Sequence, residues 1–161
     1  MIIAISGSPC TGKTEVAKAL TKKLGWRLVQ LNELAKRKRF FSGFDRKREV
    51  PIVNLQRLQD EIKQIQKKER NIVIESHYAH DLKNNLTVIL RTDIKELRKR
   101  MGKRKWPSKK IDENILSEIM EVCKTEALQK KRKILEIDTT RKKPEMIADE
   151  IIQFLEVKIS K

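Results

Sequence analysis

Several things are scarce in this 161-residue sequence, and each scarcity excludes something. There are two cysteines, Cys10 and Cys123, too few for a disulfide framework, so a reducing compartment is expected. Five glycines and four prolines are scattered singly, and no linker, repeat or low-complexity stretch divides the chain. No apolar run approaches the ~20 residues of a membrane-spanning helix. The opening Met1-Ile2-Ile3-Ala4-Ile5-Ser6 lacks a basic segment and is too short for a signal peptide. A cytoplasmic protein with no membrane partner is expected. Acidic residues are also short: 22 Asp and Glu face 38 Lys and Arg, a net charge of +16. That excess predicts attraction to polyanions such as phosphorylated substrates, RNA or acidic protein tails. A generally charged surface on a heat-adapted protein gives the same composition. The length is one domain's worth and suffices for a sizeable core.

The apolar residues alternate between two periods. Residues 2–5 form an apolar run that enters Ser-Gly-Ser-Pro, the pattern of a buried strand leading into a loop. Val16, Ala17, Leu20 and Leu24 then recur at helical spacing, and Gly25 ends that helix. Further strands are expected at 26–31, 71–75, 86–90 and 134–137. Helices are expected at 54–70, 94–101 and 111–133, and from Pro144 onward. Strands alternating with helices predict an α/β doubly wound fold, a parallel sheet covered on both faces.

The most specific signal is Gly7-Ser8-Pro9-Cys10-Thr11-Gly12-Lys13-Thr14, a complete G-x-x-x-x-G-K-[ST] phosphate loop between an expected strand and helix. Its glycines let successive N–H groups face an anion, and the helix that follows adds its positive end. Lys13 is placed to reach the β- and γ-phosphates of ATP, and the Thr14 hydroxyl to hold Mg²⁺. Such loops work with a second acidic group at the end of a neighbouring strand. Glu75 occupies that position, with Ser76 and His77 behind it. His77 either orients a water or substrate phosphate or packs within the loop 78–81.

Two further segments are candidates for the remaining parts of a small kinase. Eight of the thirteen residues 98–110 are Lys or Arg and none is acidic. Gly102 and Pro107 predict a mobile loop there, either a lid that brings an arginine to the transferring phosphoryl group or an RNA contact. Residues 32–53 interleave Lys36-Arg37-Lys38-Arg39 and Arg46-Lys47-Arg48 with Phe40, Phe41 and Phe44. That mixture suits a nucleobase with its phosphate, single-stranded RNA, or a flap resting on the core. The loop 139–144 after the last strand is the expected adenine neighbourhood.

Taken in order, residues 7–14, Glu33-Leu34-Ala35-Lys36, Gly43-Phe44-Asp45, Pro51-Ile52, Glu75-Ser76-His77, Leu90-Arg91-Thr92-Asp93 and residues 104–114 form a set much more specific than the loop alone. Over nearly its full length the chain resembles the adenylate kinase isoenzyme 6 family, in an archaeal-type form. These are short adenylate-kinase-like ATPases linked to small-ribosomal-subunit maturation. The resemblance implies a P-loop NTPase of nucleoside-monophosphate-kinase type with a five-stranded parallel sheet. It implies a single domain spanning 1–161, with a monophosphate-binding insertion at about 30–53 and a lid at about 103–113. It implies phosphoryl transfer from ATP to AMP with slower ATP hydrolysis. The partners implied are a platform protein of the small ribosomal subunit and, through basic surface, rRNA. Cys10, Gly12, Lys13, Thr14 and Glu15 fall on ATP-phosphate positions, Arg104 on a lid arginine, and Glu75 and His77 on an acid-x-His motif. Lys36 falls on an arginine of the AMP region. The family's acid is typically Asp, so Glu75 is one methylene longer. Lys36 lacks the bidentate geometry of an arginine, and Arg46-Lys47-Arg48 reverse an often acidic stretch.

Overall fold

The opening strand is dictated by its side chains. All five residues from Ile2 to Ser6 are buried, as expected of a central strand in a parallel sheet covered on both faces. A computed structural model describes residues 1–130 and 133–159. In chain order its elements are β1 (Ile2–Ser6), α1 (Lys13–Leu24), β2 (Arg27–Gln30), α2 (Leu31–Lys38), β3 (Phe41–Asp45), β4 (Val50–Val53), α3 (Leu55–Lys68), β5 (Ile72–Glu75), β6 (Leu86–Arg91), α4 (Ile94–Lys103), α5 (Ser108–Ile119), α6 (Val122–Gln129), β7 (Ile134–Asp138) and α7 (Pro144–Ile159). A short 3₁₀ turn spans Ala79–Asp81.

Five strands make one parallel sheet in the order β2-β5-β1-β6-β7. Successive β1 side chains point to opposite faces and seed two cores. Ile2 and Ala4 join Leu34, Leu58 and Ile62 from α2 and α3 on one side. Ile3 and Ile5 join Val16, Leu20, Ile147 and Ile151 from α1 and α7 on the other. The register sets Ile5 opposite Glu75, Gln30 opposite Glu75, and Ser6 opposite Ile89. The carboxyl ends of β1, β2 and β5 therefore finish level, and ligands of open α/β sheets bind at that edge. No described helix is long and apolar enough to cross a membrane.

The five-stranded parallel sheet and its two helical layers agree with the sequence pattern. Four local expectations need correction. The second strand stops at Gln30, and Leu31 already opens α2. After α2 the chain turns back as an antiparallel hairpin of β3 and β4, which the aromatic-basic composition did not suggest. The basic run at 98–110 is not a mobile loop. Gly102 lies within α4, Pro107 caps α5, and the non-helical turn is 104–107. Leu97, Met101, Ile111 and Ile115 form a small third core that fastens α4 to α5, with Trp106 packed against it. That packing outweighs the ~1 kcal/mol that a glycine costs within a helix. The pattern at 111–133 is two helices, broken where Glu121 takes a left-handed φ of 52°. Two residues of that expected helical stretch, Lys131 and Arg132, lie outside the described residues.

Candidate active site

The phosphate loop leaves β1 at Ser6 and enters α1 at Lys13. Gly7 has φ 141°, and a Cβ there would lie 2.4 Å from the Leu90 carbonyl oxygen on β6. Cys10 at φ 68° and Gly12 at φ 90° are also left-handed. This alternation turns backbone N–H groups into a concavity at the start of a helix, a ready anion site. Within the loop the Ser8 carbonyl is a hub. It accepts hydrogen bonds from Lys13 Nζ at 2.8 Å and Thr11 Oγ1 at 2.9 Å. From outside, Thr139 Oγ1 donates to the Thr11 carbonyl at 3.0 Å, and Arg100 Nη1 donates to the Cys10 carbonyl at 3.4 Å.

Burial lowers the Lys13 pKa, against a raising influence of the Glu75 charge; the Arg104 charge lowers it further. Arg104 is exposed at the end of α4. No described hydrogen bond or ion pair joins its side chain to the phosphate loop. Glu15 is exposed and pairs with Lys18 at 3.2 Å. It also borders a cleft of about 220 Å³ lined by Thr11, Gly12, Arg100, Thr139, Lys142 and Pro144. That cleft coincides with the expected adenine neighbourhood at 139–144.

Glu75 is buried at the end of β5, 8% exposed. Its Oε1 accepts from Thr14 Oγ1 and from Gln30 Nε2, both at 3.1 Å. The extra methylene of Glu lets the carboxylate touch the loop threonine directly. Hydroxyl and carboxylate oxygens are hard ligands of the kind Mg²⁺ takes alongside waters and phosphate oxygens. Among the described residues no three His, Cys, Asp or Glu side chains gather into a metal cage. The pair therefore fits a magnesium that arrives with a nucleotide and would supplement its ligands.

His77 follows that carboxylate. Its ring stands edge-on to Tyr78 at 4.8 Å. The residue keeps solvent-facing surface, yet desolvation of its ring, and next the Lys13 charge, lower its pKa from 6.5 to about 4. The imidazole is neutral at pH 7. Between pH 6.5 and about 4 the unfolded chain binds a proton here that the folded chain refuses. The stability contributed by this site is thus complete above 6.5 and declines as pH falls through that window. His77→Gln should flatten that acid-side decline, which denaturant titrations at pH 7 and pH 5 measure. An unchanged pH dependence would remove His77 as its source.

Lys36 sits on the exposed face of α2 and pairs with Glu33 at 3.4 Å. No described hydrogen bond or ion pair joins it to Glu75 or His77. Lys13, Thr14, Glu75, Cys10 and Gly12 are gathered at one sheet edge, His77 follows Glu75 two residues on, and Arg104 makes no described side-chain contact with them. Several neighbours were not visible in the sequence. Gln30 meets Glu75 only because the register of β2 and β5 puts them side by side. His80 is 1% exposed, with Nδ1 2.7 Å from Ser6 Oγ and Nε2 2.8 Å from Glu126 Oε2. Buried Glu118 meets Ser8 across 110 positions of sequence. Only the placement of Arg91 and Glu75 at strand ends was a usable signal.

Residues 3–121 match the model of a family described as AAA domain. The chain is 34% identical over 158 residues to a Methanocaldococcus jannaschii protein named "Putative adenylate kinase", covering 98% of this chain and 88% of that one. A Pyrococcus abyssi protein of the same name is 36% identical over 152 residues, covering 94% and 82%. Among solved structures, shikimate kinase from Acinetobacter baumannii in complex with shikimate superposes with a TM-score of 0.71 at 16% identity, covering 99% of this chain and 95% of that chain. Deoxyadenosine kinase from M. mycoides superposes with a TM-score of 0.62 at 16% identity, covering 98% and 100%. The fold is that of P-loop kinases.

Proposed function

This chain belongs to the AAA domain family and to the same family as those two archaeal proteins, and from that premise we propose that it is an adenylate kinase, passing the γ-phosphoryl group of ATP to AMP and hydrolysing ATP slowly. The observation that carries the proposal is the contact of Thr14 with Glu75 at 3.1 Å beside Lys13, a phosphate loop already joined to its strand-end acid. ATP lies along residues 7–14, with Cys10, Gly12, Lys13, Thr14 and Glu15 at its phosphates and adenine in the cleft beside Thr139. Thr14 and Glu75 would hold Mg²⁺, which would supply positive charge to offset the negative charge of the phosphates. Lys13 leaves the Ser8 carbonyl for those oxygens. AMP lies beneath the insertion 30–53, with its phosphate toward Lys36. Neutral His77 orients the attacking group. The segment 103–113 acts as a lid that brings Arg104 onto the transferring charge and excludes water. Positioning and charge stabilisation suffice, so no covalent intermediate forms.

A second reading is favoured by two observations. Lys36 is exposed and already paired, and a lysine makes no bidentate phosphate contact. The hairpin tip Arg46-Lys47-Arg48 is exposed, beside exposed Phe44, Val50 and Ile52. Both suit an ATP-driven switch in small-ribosomal-subunit maturation, with a platform protein and rRNA as partners. The experiment is ADP formation from Mg·ATP with and without AMP. A large AMP-dependent increase, absent from Lys13→Ala, supports the kinase. Slow turnover indifferent to AMP overturns it in favour of the switch. Acceleration by another acceptor, and not by AMP, makes it a kinase of a different metabolite.

A further inference from the structure

Ser8 is held from two sides. Its carbonyl carries Lys13 Nζ and Thr11 Oγ1, at 2.8 and 2.9 Å. Its hydroxyl donates to Glu118 Oε2 at 2.6 Å. Glu118 lies on α5 and is 3% exposed, an unusual place for a carboxylate. It is satisfied there on every side. Arg91 Nε donates to its Oε1 at 2.5 Å, and the Thr92 backbone N–H donates to the same oxygen at 3.3 Å. Arg91 Nη2 also donates to the Glu118 carbonyl at 3.0 Å.

Arg91 is itself anchored at the end of β6. Its Nη1 donates to Glu121 at 2.6 Å and to Glu136 on β7 at 3.4 Å. Burial acts to lower its pKa, but the hydrogen bonds it donates to Glu121 and Glu118 outweigh that and raise it, so the guanidinium stays charged. Three segments distant in sequence therefore meet on one carboxylate: the phosphate loop, the β6 end, and the helix that follows the basic turn 104–107.

We propose that Glu118 is a positioning residue for phosphoryl transfer. It fixes the Ser8 peptide, and through the Ser8 carbonyl it fixes where Lys13 and Thr11 stand before ATP arrives. The proposal rests on the P-loop kinase function above. A loop whose Ser8 can rotate presents Lys13 and its N–H groups over a wider range of positions. Small misplacements of that kind carry large rate penalties, since catalysis here is mostly positioning. A hydroxyl bonded to a buried carboxylate is among the stronger hydrogen bonds. Because α5 begins directly after the basic turn and carries Glu118 near its far end, the same bond ties the helix behind that turn to the loop.

The test is a double-mutant cycle on Ser8→Ala and Glu118→Gln, read by kcat and KM for Mg·ATP and by thermal melting. Each single variant should lower kcat/KM for ATP about tenfold. The two together should be scarcely worse than either alone, because both break one link. Glu118→Asp, which keeps the charge and shortens the reach, should recover part of the loss. Ser8→Ala removes only a hydroxyl, so its melting temperature should stay near that of the unaltered protein, and it keeps the test valid if Glu118 variants fold poorly. Multiplicative losses, or variants that melt lower but turn over normally, would overturn the positioning role. If the unaltered protein neither binds nor turns over ATP, it is the kinase reading that fails.

Discussion

Replacing Lys13 with alanine should lower the rate of ATP turnover by at least ~100-fold, about 3 kcal/mol of transition-state stabilisation, without lowering the melting temperature. The two halves of that expectation have separate causes. Lys13 is the one cation inside the loop itself, and its ammonium is within 2.8 Å of the Ser8 carbonyl. In the proposed complex with ATP, that charge would sit where negative charge builds up during transfer, and no backbone N–H replaces a full positive charge there. The stability half follows from burial. Desolvation is the largest influence on Lys13 and disfavours its charged form. Removing the ammonium relieves that penalty, while Glu75 keeps its bonds from Thr14 and Gln30. Lys13→Met, which retains the stem, should behave alike in rate and still better in stability. Rates and melting curves on the same preparations check both. Retained turnover in either variant would end the assignment of Lys13, whereas a low melting temperature would show that its charge is structural.

Much of this site was legible beforehand because it is local. The phosphate loop is eight consecutive residues, and an apolar strand and an amphipathic helix flank it in the sequence as in the fold. Glu75 was legible because strand ends in a parallel sheet converge on one edge. What stayed hidden depends on long-range pairing. The register that sets Gln30 beside Glu75 joins strands about 45 residues apart, and neither residue's neighbours hint at it. Glu118 is one acid among several in a charged helix; its burial comes with partners remote in sequence, Ser8 in the phosphate loop and Arg91 and Thr92 at the end of β6. Apolar periodicity overrode breaker residues in the same way at Gly102. Leu97, Met101, Ile111 and Ile115 lock α4 against α5, leaving only 104–107 to turn. The hairpin at 41–53 was obscured because Phe41 and Val53 pack on the core while Phe44, Val50 and Ile52 face solvent, so no clean alternation appears.

Gly7→Ala should be the most damaging single-methyl change in the protein. The alanine Cβ would stand 2.4 Å from the Leu90 carbonyl oxygen, 3.2 Å from Thr11 Oγ1 and 3.3 Å from the Leu90 carbonyl carbon. A side-chain neighbour can swing aside, but Leu90 belongs to β6, which is paired with β1 on one side and β7 on the other. The sheet holds, so the loop must move. In addition a φ of 141° is open to glycine and strained for any other residue. Overpacking of ~1–3 kcal/mol and backbone strain of ~1–3 kcal/mol together take a large share of a domain's usual ~5–15 kcal/mol. The melting temperature should fall by about 10 °C or more, and ATP binding should be lost with it. Two companion variants isolate the cause. Gly12→Ala has no atom within 4 Å of its Cβ but a φ of 90°, so it should show strain alone. Gly102→Ala lies within α4 with open space around it and should stabilise by ~0.4–1 kcal/mol. If Gly7→Ala melts no lower than Gly12→Ala, the Leu90 carbonyl is not what shapes the loop, and backbone strain alone explains why both positions are glycine.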